Sequence, residues 1–290
     1  MLKKQKTLNQ TLIFEGIGVH SGLPAVVTLH PADPNFGIII RNKAFPNQPM
    51  EIGKIVPEHA MHATVVKHQN WFVSTIEHLM AAIFVAELDN VIIEIEGVEV
   101  PILDGSALPF IQKILDGGIR EQEETKTFLT PKAFLKFEDA QGRYIEITPA
   151  QALPSGGRDT TLFVDYKAEF NHPLAGNPSL QGAITCDFFV HEVAPARTFG
   201  FLEQLPYLRQ HGLAKGTSLG NTVVIGQEEL LNDMRLSDEC VRHKFLDLIG
   251  DLSLLGKNLI GSIKAHKTGH SFNRLVIDHY IKHPEEWELV

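Results

Sequence analysis

The sequence has few cysteines, no long apolar run and no excess of positive charge. Its two cysteines, Cys186 and Cys240, lie far apart and outside any C-x-x-C pattern, which indicates free thiols in a reducing compartment. The most apolar stretch, at 79–88, is too short to span a bilayer. The basic start of the chain is not followed by the apolar segment of a secretory signal. We therefore expect a cytoplasmic protein without stable membrane insertion.

The charge balance argues against a nucleic-acid partner. The chain carries 26 Lys+Arg against 35 Asp+Glu, a formal net charge of −9, and has no long basic run with which to neutralise phosphates. With 43% apolar and 21% charged residues, the composition is that of a globular protein rather than a disordered or fibrous one. At roughly 100–200 residues per domain, 290 residues predict two domains. The 14 histidines direct attention to metal ligation and acid–base chemistry.

The first half of the chain reads as strands with two helices. Apolar residues at helical spacing predict a helix over 74–88. A second helix is expected over 106–118, capped by Ser106 and closed by two glycines. The charged segment 118–130 is the candidate linker, which predicts domains at 1–125 and 126–290. Apolar and β-branched runs bounded by Gly, Pro and Asn predict strands at 11–17, 25–31, 36–42 and 91–97 and a hairpin at 63–74.

The second half repeats this style. Helical patterns cover 201–212, 238–256 and 270–283, and strands are predicted at 133–138, 143–149, 161–167, 184–190 and 258–267. Each half contains a His-bearing helix followed by a turn, an Asn and an apolar strand: His78 precedes Asn90, and His243 precedes Asn258. Two copies of one α+β unit would explain this pattern, although chance similarity would explain it equally well.

The segment VRHKFLDLIGDL (241–252) is the sharpest local feature. His243, Asp247 and Asp251 are spaced four apart and therefore share one face of a helix. A neutral imidazole and a carboxylate one turn apart can both reach a single metal ion. The alternative is a solvated helix face whose His–Asp pair contributes only a few tenths of a kcal/mol.

Glu77 and His78 form a second candidate. One interpretation makes Ser74 and Glu77 a capping box, with Glu77 reaching back to the first amide of the helix. The other makes His78 a metal ligand and Glu77 the base beside it, because adjacent helix residues point about 100° apart. A set of two His and one carboxylate with an open position is what a hydrolytic zinc site requires.

Two further segments contain groups that could assist such a site. His270 follows Gly269 at a strand–helix junction, and Asp251 could hold its proton against the unfavourable helix N-terminus. The Thr198 hydroxyl, in APARTFGF (194–201), could donate to an oxyanion. Without partners, His270 would be an ordinary helix-start residue and 194–201 a surface loop.

Taken together, these motifs resemble one family. From 4–22 to 267–273 the chain is similar to UDP-3-O-acyl-N-acetylglucosamine deacetylases, the zinc hydrolases of the committed step of lipid A biosynthesis in Gram-negative bacteria. No single motif would suffice, but their order and spacing match throughout. They are GIGVHSG, HPADPNFGIIIRN, STIEHLMAA, VPILDGSALPF, EFNHP, ARTFGF, GLAKGTSLGN, RHKFLDLIGDL and KTGH.

The resemblance implies a fold and a set of roles. The fold would be α+β, with two similar domains that each layer a sheet on a pair of helices and an active site between them. One catalytic Zn²⁺ would be held by His78, His243 and Asp247, although a set of this composition also accepts Fe²⁺. The implied catalytic groups are Glu77 as general base, His270 as acid and oxyanion partner, Asp251 as its orienter, Thr198 at the oxyanion and Lys244 at the substrate.

The resemblance also implies how the substrate binds. The segment at about 194–221 would form a hydrophobic passage for the acyl chain, with Phe199 near its mouth. Phe170 would lie against the uracil, and Arg143 stands where relatives can carry a Lys that contacts the diphosphate. A monomer is expected. Two alternatives stay open: a zinc deacetylase of another N-acetyl sugar, and a non-catalytic protein that binds acyl groups or sugar nucleotides.

Overall fold

Two five-stranded sheets organise the chain. The computed structural model describes residues 3–60, 62–154 and 156–290. Met1 and Leu2, at the start of the basic segment considered above, lie outside the described residues. Among the helices in these ranges, none is both long and apolar enough to cross a membrane.

The described residues of the N-terminal unit form nine strands and two helices. Its main sheet has the order β2-β3-β8-β4-β5, while β6 pairs with β7 and β1 pairs with β9. The alternating burial of β3 and β8 gives the sheet one face toward the core, as the sequence pattern predicts. The elements are β1 (Lys4–Leu8), β2 (Leu12–Ile17), β3 (Pro24–Pro31), β4 (Ile38–Asn42), β5 (Phe45–Glu51), β6 (Val65–Lys67), β7 (Phe72–Ser74), α1 (Glu77–Val85), β8 (Val91–Glu96), α2 (Leu108–Gly117) and β9 (Ile119–Thr125).

The C-terminal unit is built in the same way. Its main sheet has the order β11-β12-β17-β13-β14, while β10 pairs with β18 and β15 pairs with β16. The elements are β10 (Leu129–Pro131), β11 (Leu135–Glu138), β12 (Tyr144–Thr148), β13 (Leu162–Lys167), β14 (Ser179–Ala183), α3 (Cys186–Phe188), β15 (Thr198–Phe201), α4 (Leu205–Gln210), β16 (Thr222–Ile225), α5 (Glu239–Leu252), β17 (Gly261–His266), α6 (His270–Lys282) and β18 (Trp287–Leu289).

The two main sheets share one topology. In each sheet, the last of its five strands along the chain lies in the centre: β8 between β3 and β4, and β17 between β12 and β13. This central strand is antiparallel to the first of these neighbours and parallel to the second. A helix precedes that central strand, and a second helix follows it. The prediction of two similar α+β units is confirmed. The domain boundary between residues 125 and 126 stays a prediction.

Helices α1 and α5 meet between the two units. All nine residues of α1 are buried, so the helix has no solvent face. Gly250 lets α5 approach closely, because a Cβ at this position would lie 2.1 Å from the carbonyl oxygen of Glu77. This contact brings the first turn of α1 beside the C-terminal half of α5, where the polar residues of both helices meet.

One local prediction is wrong, and two others are refined by the structure. The apolar run 184–190 is not a strand: Thr185 accepts the backbone N–H of Phe188 and starts α3, which continues into a π-helix over Phe189–Val193. A short apolar run does not distinguish strand from helix by periodicity alone. The candidate linker 118–130 contains β9, whose pairing with β1 satisfies its backbone; its role as a linker stays a prediction, like the boundary. Ser106 is not the N-cap residue of α2, which is Ala107, but its hydroxyl oxygen accepts the backbone N–H of Leu108, the first residue of the helix, at 3.2 Å.

Candidate active site

His78, His243 and Asp247 form a buried cluster between the units. His78 lies in the first turn of α1, whereas His243 and Asp247 lie one turn apart on α5. One nitrogen or oxygen atom from each side chain lies within 4.8 Å of the others. The two imidazoles meet edge to face, with ring centroids 4.9 Å apart. The polar face of α5 therefore meets a ligand-type residue on α1.

The donor atoms of this cluster fit a metal ion. Among the described residues, Asp247 Oδ1 and His78 Nδ1 are buried without a hydrogen-bond partner, while Asp247 Oδ2 accepts from Lys244 Nζ at 2.8 Å. His243 Nδ1 lies 3.1 Å from the Ala196 carbonyl, so a proton there leaves Nε2 as the nitrogen available to a metal. Nitrogen and oxygen atoms left unsatisfied in the interior are costly unless an ion takes them as ligands.

The protonation states of the cluster agree with metal binding. Burial, reinforced by the charge of His243, lowers the pKa of His78 to about 3. Burial likewise lowers the pKa of His243. For Asp247, burial favours the neutral acid, but the charges of Lys244 and nearby imidazoles outweigh it and hold its pKa below the ordinary range. Neutral imidazoles and an ionised carboxylate are the forms that ligate metals.

Glu77 adjoins the cluster but does not cap its helix. Ser74 is the last residue of β7, Thr75 has a positive φ of 58°, and α1 begins only at Glu77, so the predicted capping box does not form. Instead, Glu77 Oε2 accepts the backbone N–H of Thr64 at 3.0 Å. Burial, with smaller contributions from the Asp251 and Asp247 charges, raises the pKa of Glu77 to about 8. A carboxyl group with a pKa near neutrality suits proton transfer.

His270, the first residue of α6, faces Glu77. Its Nε2 lies 4.0 Å from Glu77 Oε1, and its Nδ1 lies 3.0 Å from Asp251 Oδ2. Asp251 also accepts from Asn273 Nδ2 at 2.7 Å. Burial and the helix N-terminus both oppose a charged imidazole, but Asp251, Asp247 and Glu77 outweigh them and raise the pKa of His270 to about 9.

A cavity of about 330 Å³ opens beside these groups. Its lining includes Thr198, Phe199, Phe170 and Lys244. Phe199 packs edge to face on Phe170 at 5.4 Å and lies 6.2 Å from the His243 ring. Away from the polar cluster the lining turns apolar, with Phe201, Leu202, Leu205, Leu208 and Val224. This arrangement can hold an extended apolar group whose polar end meets the cluster.

Arg143 lies apart from the cavity lining. Its Nε donates to Asp139 Oδ2 at 2.7 Å, and its guanidinium lies over the Phe272 ring at 5.1 Å. Phe272 is two residues beyond His270, so Arg143 is close to the elements of the site without facing the cluster.

Sequence reasoning missed several residues of the site. Thr64 contacts Glu77 through its backbone and Asp251 through its hydroxyl. His20, in the glycine-rich loop GIGVHSG, lines the cavity, and the buried carboxylate of Glu99 accepts its backbone N–H at 2.9 Å. Asn273, which bonds Asp251, was also missed, but the sequence did contain a signal for it. It follows His270 by three positions and therefore shares its helix face. Nothing local in the sequence pointed to Thr64 or Glu99.

Comparison with known proteins gives consistent matches over nearly the whole chain. The sequence profile of the UDP-3-O-acyl N-acetylglycosamine deacetylase family matches residues 5–282. UDP-3-O-acyl-N-acetylglucosamine deacetylases of Haemophilus influenzae (strain 86-028NP) and Cellvibrio japonicus are each 38% identical, over 99% of this chain and 93% of the relative. The protein of the same name from Syntrophotalea carbinolica is 38% identical over 99% of this chain and 90% of the relative.

Proposed function

The chain belongs to the UDP-3-O-acyl N-acetylglycosamine deacetylase family, and on that premise we propose that it removes the N-acetyl group of UDP-3-O-(3-hydroxyacyl)-N-acetylglucosamine. The reaction adds water across the amide bond and yields acetate and the free amine, in the committed step of lipid A biosynthesis. One observation carries the proposal: a buried set of two His and one Asp lies against two proton-transfer groups at the polar end of an apolar cavity.

His78, His243 and Asp247 are the proposed metal ligands, and zinc is the proposed ion. Members of the family are metalloenzymes. A divalent ion held by these three residues would polarise the amide carbonyl and lower the pKa of water. The unpartnered Asp247 Oδ1 and the Nδ1 bond of His243 to Ala196 support this ligand set.

Glu77 and His270 divide the proton transfers. Glu77 takes a proton from the attacking water, for which its raised pKa and its position beside the ligands are suited. His270 carries a proton on Nε2, helps to hold the oxyanion and protonates the amine as the C–N bond breaks. Asp251 keeps the imidazole oriented and charged through Nδ1. The separation of 4.0 Å between Glu77 Oε1 and His270 Nε2 lets both act on one small group.

The remaining residues of the cavity, together with Arg143 outside its lining, bind the substrate in this proposal. The Thr198 hydroxyl donates to the tetrahedral oxyanion, and Lys244 contacts the sugar beside the metal. The segment 194–221 forms the acyl passage, with Phe199 at its mouth, Phe170 against the uracil and Arg143 toward the diphosphate. The apolar side chains around α4 support an acyl group in this passage.

The test is acetate release from UDP-3-O-(3-hydroxymyristoyl)-N-acetylglucosamine. The protein is assayed as isolated, after chelation and after zinc is restored, and activity should disappear and return. The same sugar nucleotide without its acyl chain is the matched substrate control. Equal turnover of both substrates would favour a deacetylase of another N-acetyl sugar, and no release from folded, zinc-loaded protein would favour a binding protein.

A further inference from the structure

Thr64 is a buried residue that touches both proton-transfer groups. It lies directly before β6, in the segment that leads to α1, and is 3% exposed. Its backbone N–H donates to Glu77 Oε2 at 3.0 Å, while its hydroxyl contacts Asp251 Oδ1 and lies 3.1 Å from His270 Nδ1. Thr64 therefore contacts the proposed base, Glu77, in the N-terminal unit. It also contacts the proposed acid, His270, and its partner Asp251 in the C-terminal unit.

The hydrogen-bond directions at this residue follow from its partners. An ionised carboxylate only accepts, so the Thr64 hydroxyl donates its proton to Asp251 Oδ1. The other oxygen, Asp251 Oδ2, accepts from His270 Nδ1 and Asn273 Nδ2. Both carboxylate oxygens are thereby held. His270 Nδ1 also lies 3.2 Å from Asp251 Oδ1, so rotation of the carboxylate would break the Thr64 bond and disturb both His270 contacts.

We propose that Thr64 is a positioning residue, whose hydroxyl fixes the Asp251 carboxylate and through it the direction of the His270 imidazole relative to Glu77. The inference rests on the proposed deacetylase function. Thr64 is not one of the residues that line the cavity, so its hydroxyl acts on the substrate only through Asp251 and His270.

Paired substitutions separate the hydroxyl from simple packing. Thr64→Val keeps the volume and the backbone donor to Glu77 but removes the hydroxyl, whereas Thr64→Ser keeps the hydroxyl and removes the methyl group. We expect Thr64→Val to lower kcat about 10- to 100-fold, as the loss of a hydrogen bond to a charged group implies, with KM changed less than about twofold. Thr64→Ser should restore most of kcat. A packing role predicts the reverse order, with Val more active than Ser, and that order would overturn the proposal.

A double-mutant cycle tests the route of the effect. If the Thr64 hydroxyl acts through His270, Thr64→Val should change kcat less than about twofold in a His270→Gln background. The imidazole that the hydroxyl would orient is absent from that variant. Multiplicative losses in the double variant would show a separate role and contradict the inference. Thr7→Val is the matched control, since Thr7 is equally buried and its hydroxyl donates to the Asn90 carbonyl far from the site. It should lower stability without changing kcat.

A measurement without substrate keeps this inference separate from the proposed function. In zinc-loaded protein, the proton on His270 Nδ1 should give a downfield NMR resonance that is absent in His270→Gln. We expect that resonance to move or broaden in Thr64→Val and to return to its wild-type position in Thr64→Ser. An unchanged resonance in Thr64→Val would overturn the inference, even if the wild-type protein released no acetate.

Discussion

The two units have the same sheet order, yet the helices that precede their central strands carry polar side chains in different places. In the N-terminal unit, Glu77 and His78 occupy the first turn of α1, and the rest of that helix is apolar and buried. In the C-terminal unit, His243, Asp247 and Asp251 follow one face of α5 through two turns. The scaffold is duplicated but the chemistry is not, so a complete site exists only where the two helices touch.

The two units also differ in the segment that leads from the fourth strand of the main sheet to the helix before the central strand. This segment runs from β5 to α1 in the N-terminal unit and from β14 to α5 in the C-terminal unit. In the N-terminal unit this segment is the shorter one, and the regular elements among its described residues, 52–60 and 62–76, are the two strands of the hairpin β6–β7, which Thr64 precedes. In the C-terminal unit it contains α3, β15, α4 and β16 and supplies Ala196, Thr198 and Phe199. The shorter segment contacts Glu77 and Asp251 through Thr64, whereas the longer one contributes to the cavity lining and places the Ala196 carbonyl 3.1 Å from His243 Nδ1.

The largest expected effect tests the division of proton transfer between the units. Glu77→Gln, in the N-terminal unit, and His270→Gln, in the C-terminal unit, should each lower kcat by about 10²–10⁴-fold, as the loss of a general acid or base does. Both variants should keep their metal, because neither residue belongs to the proposed ligand set. Steady-state acetate release, with metal content measured on the same samples, checks this. Near-normal turnover in both folded variants would show that Glu77 is not the general base and His270 is not the general acid.

The next effect compares two carboxylates one turn apart on α5. Asp247→Ala should lose most of its bound metal during desalting, because Asp247 Oδ1 is the proposed ligand atom. Asp251→Ala should retain its metal and lose turnover, because Asp251 faces His270. Elemental analysis of the two purified variants decides the matter. Full metal retention by Asp247→Ala would exclude this residue from the ligand set.

A third substitution acts on the contact between the units. Gly250→Ala would place a Cβ 2.1 Å from the Glu77 carbonyl oxygen, and a backbone atom cannot move aside as a flexible side chain can. We expect destabilisation of about 1–3 kcal/mol, the usual cost of overpacking, measured by urea unfolding. Gly200→Ala is the control, because a Cβ there meets no atom within 4 Å, and it should stay within about 0.5 kcal/mol. If Gly250→Ala had the same free energy of unfolding as Gly200→Ala, α1 and α5 could move apart at little cost in free energy.

The smallest effect concerns how the two helices end. Beyond α1 the chain turns through Glu87 at a φ of 55°, whereas beyond α5 it turns through Gly256 at 76°. Burial would raise the pKa of Glu87, but hydrogen bonds from Lys3 and Lys6, each at 2.7 Å, outweigh it and lower that pKa to about 2. These ion pairs therefore compensate for a backbone conformation that favours glycine.

The lowered pKa of Glu87 predicts a pH dependence of stability. Its contribution is complete above the ordinary pKa of 4.5 and is lost as the pH falls toward 2. Solvent screening limits it to about 1 kcal/mol. The stability difference between wild type and Glu87→Gln, from urea unfolding at several pH values, should therefore shrink between pH 5 and pH 2. A difference that is independent of pH would show that the ion pairs contribute nothing.

Much of the fold follows from local pattern. Runs of apolar and β-branched residues in the sequence predicted most strands of both main sheets. Apolar residues at helical spacing predicted α1, α5 and α6. The spacing of His243, Asp247 and Asp251 placed them on one helix face, as the structure has them. The errors arose where a local rule admits two outcomes: the apolar run 184–190 fits a helix as well as a strand, and Ser74 and Glu77 match a capping box although Ser74 ends a strand.

The sequence by itself determined the type of each unit, the ligand-type residues and the family to which the chain is similar. Only the tertiary structure decided which helices meet, which nitrogen of His243 is free and how Thr64 reaches Asp251 across 187 positions of chain. The physical reason is that periodicity records which side of an element is buried, because burial acts on neighbouring residues of that element. Hydrogen bonds between distant segments depend on how the elements pack, and no local pattern in the chain records that arrangement.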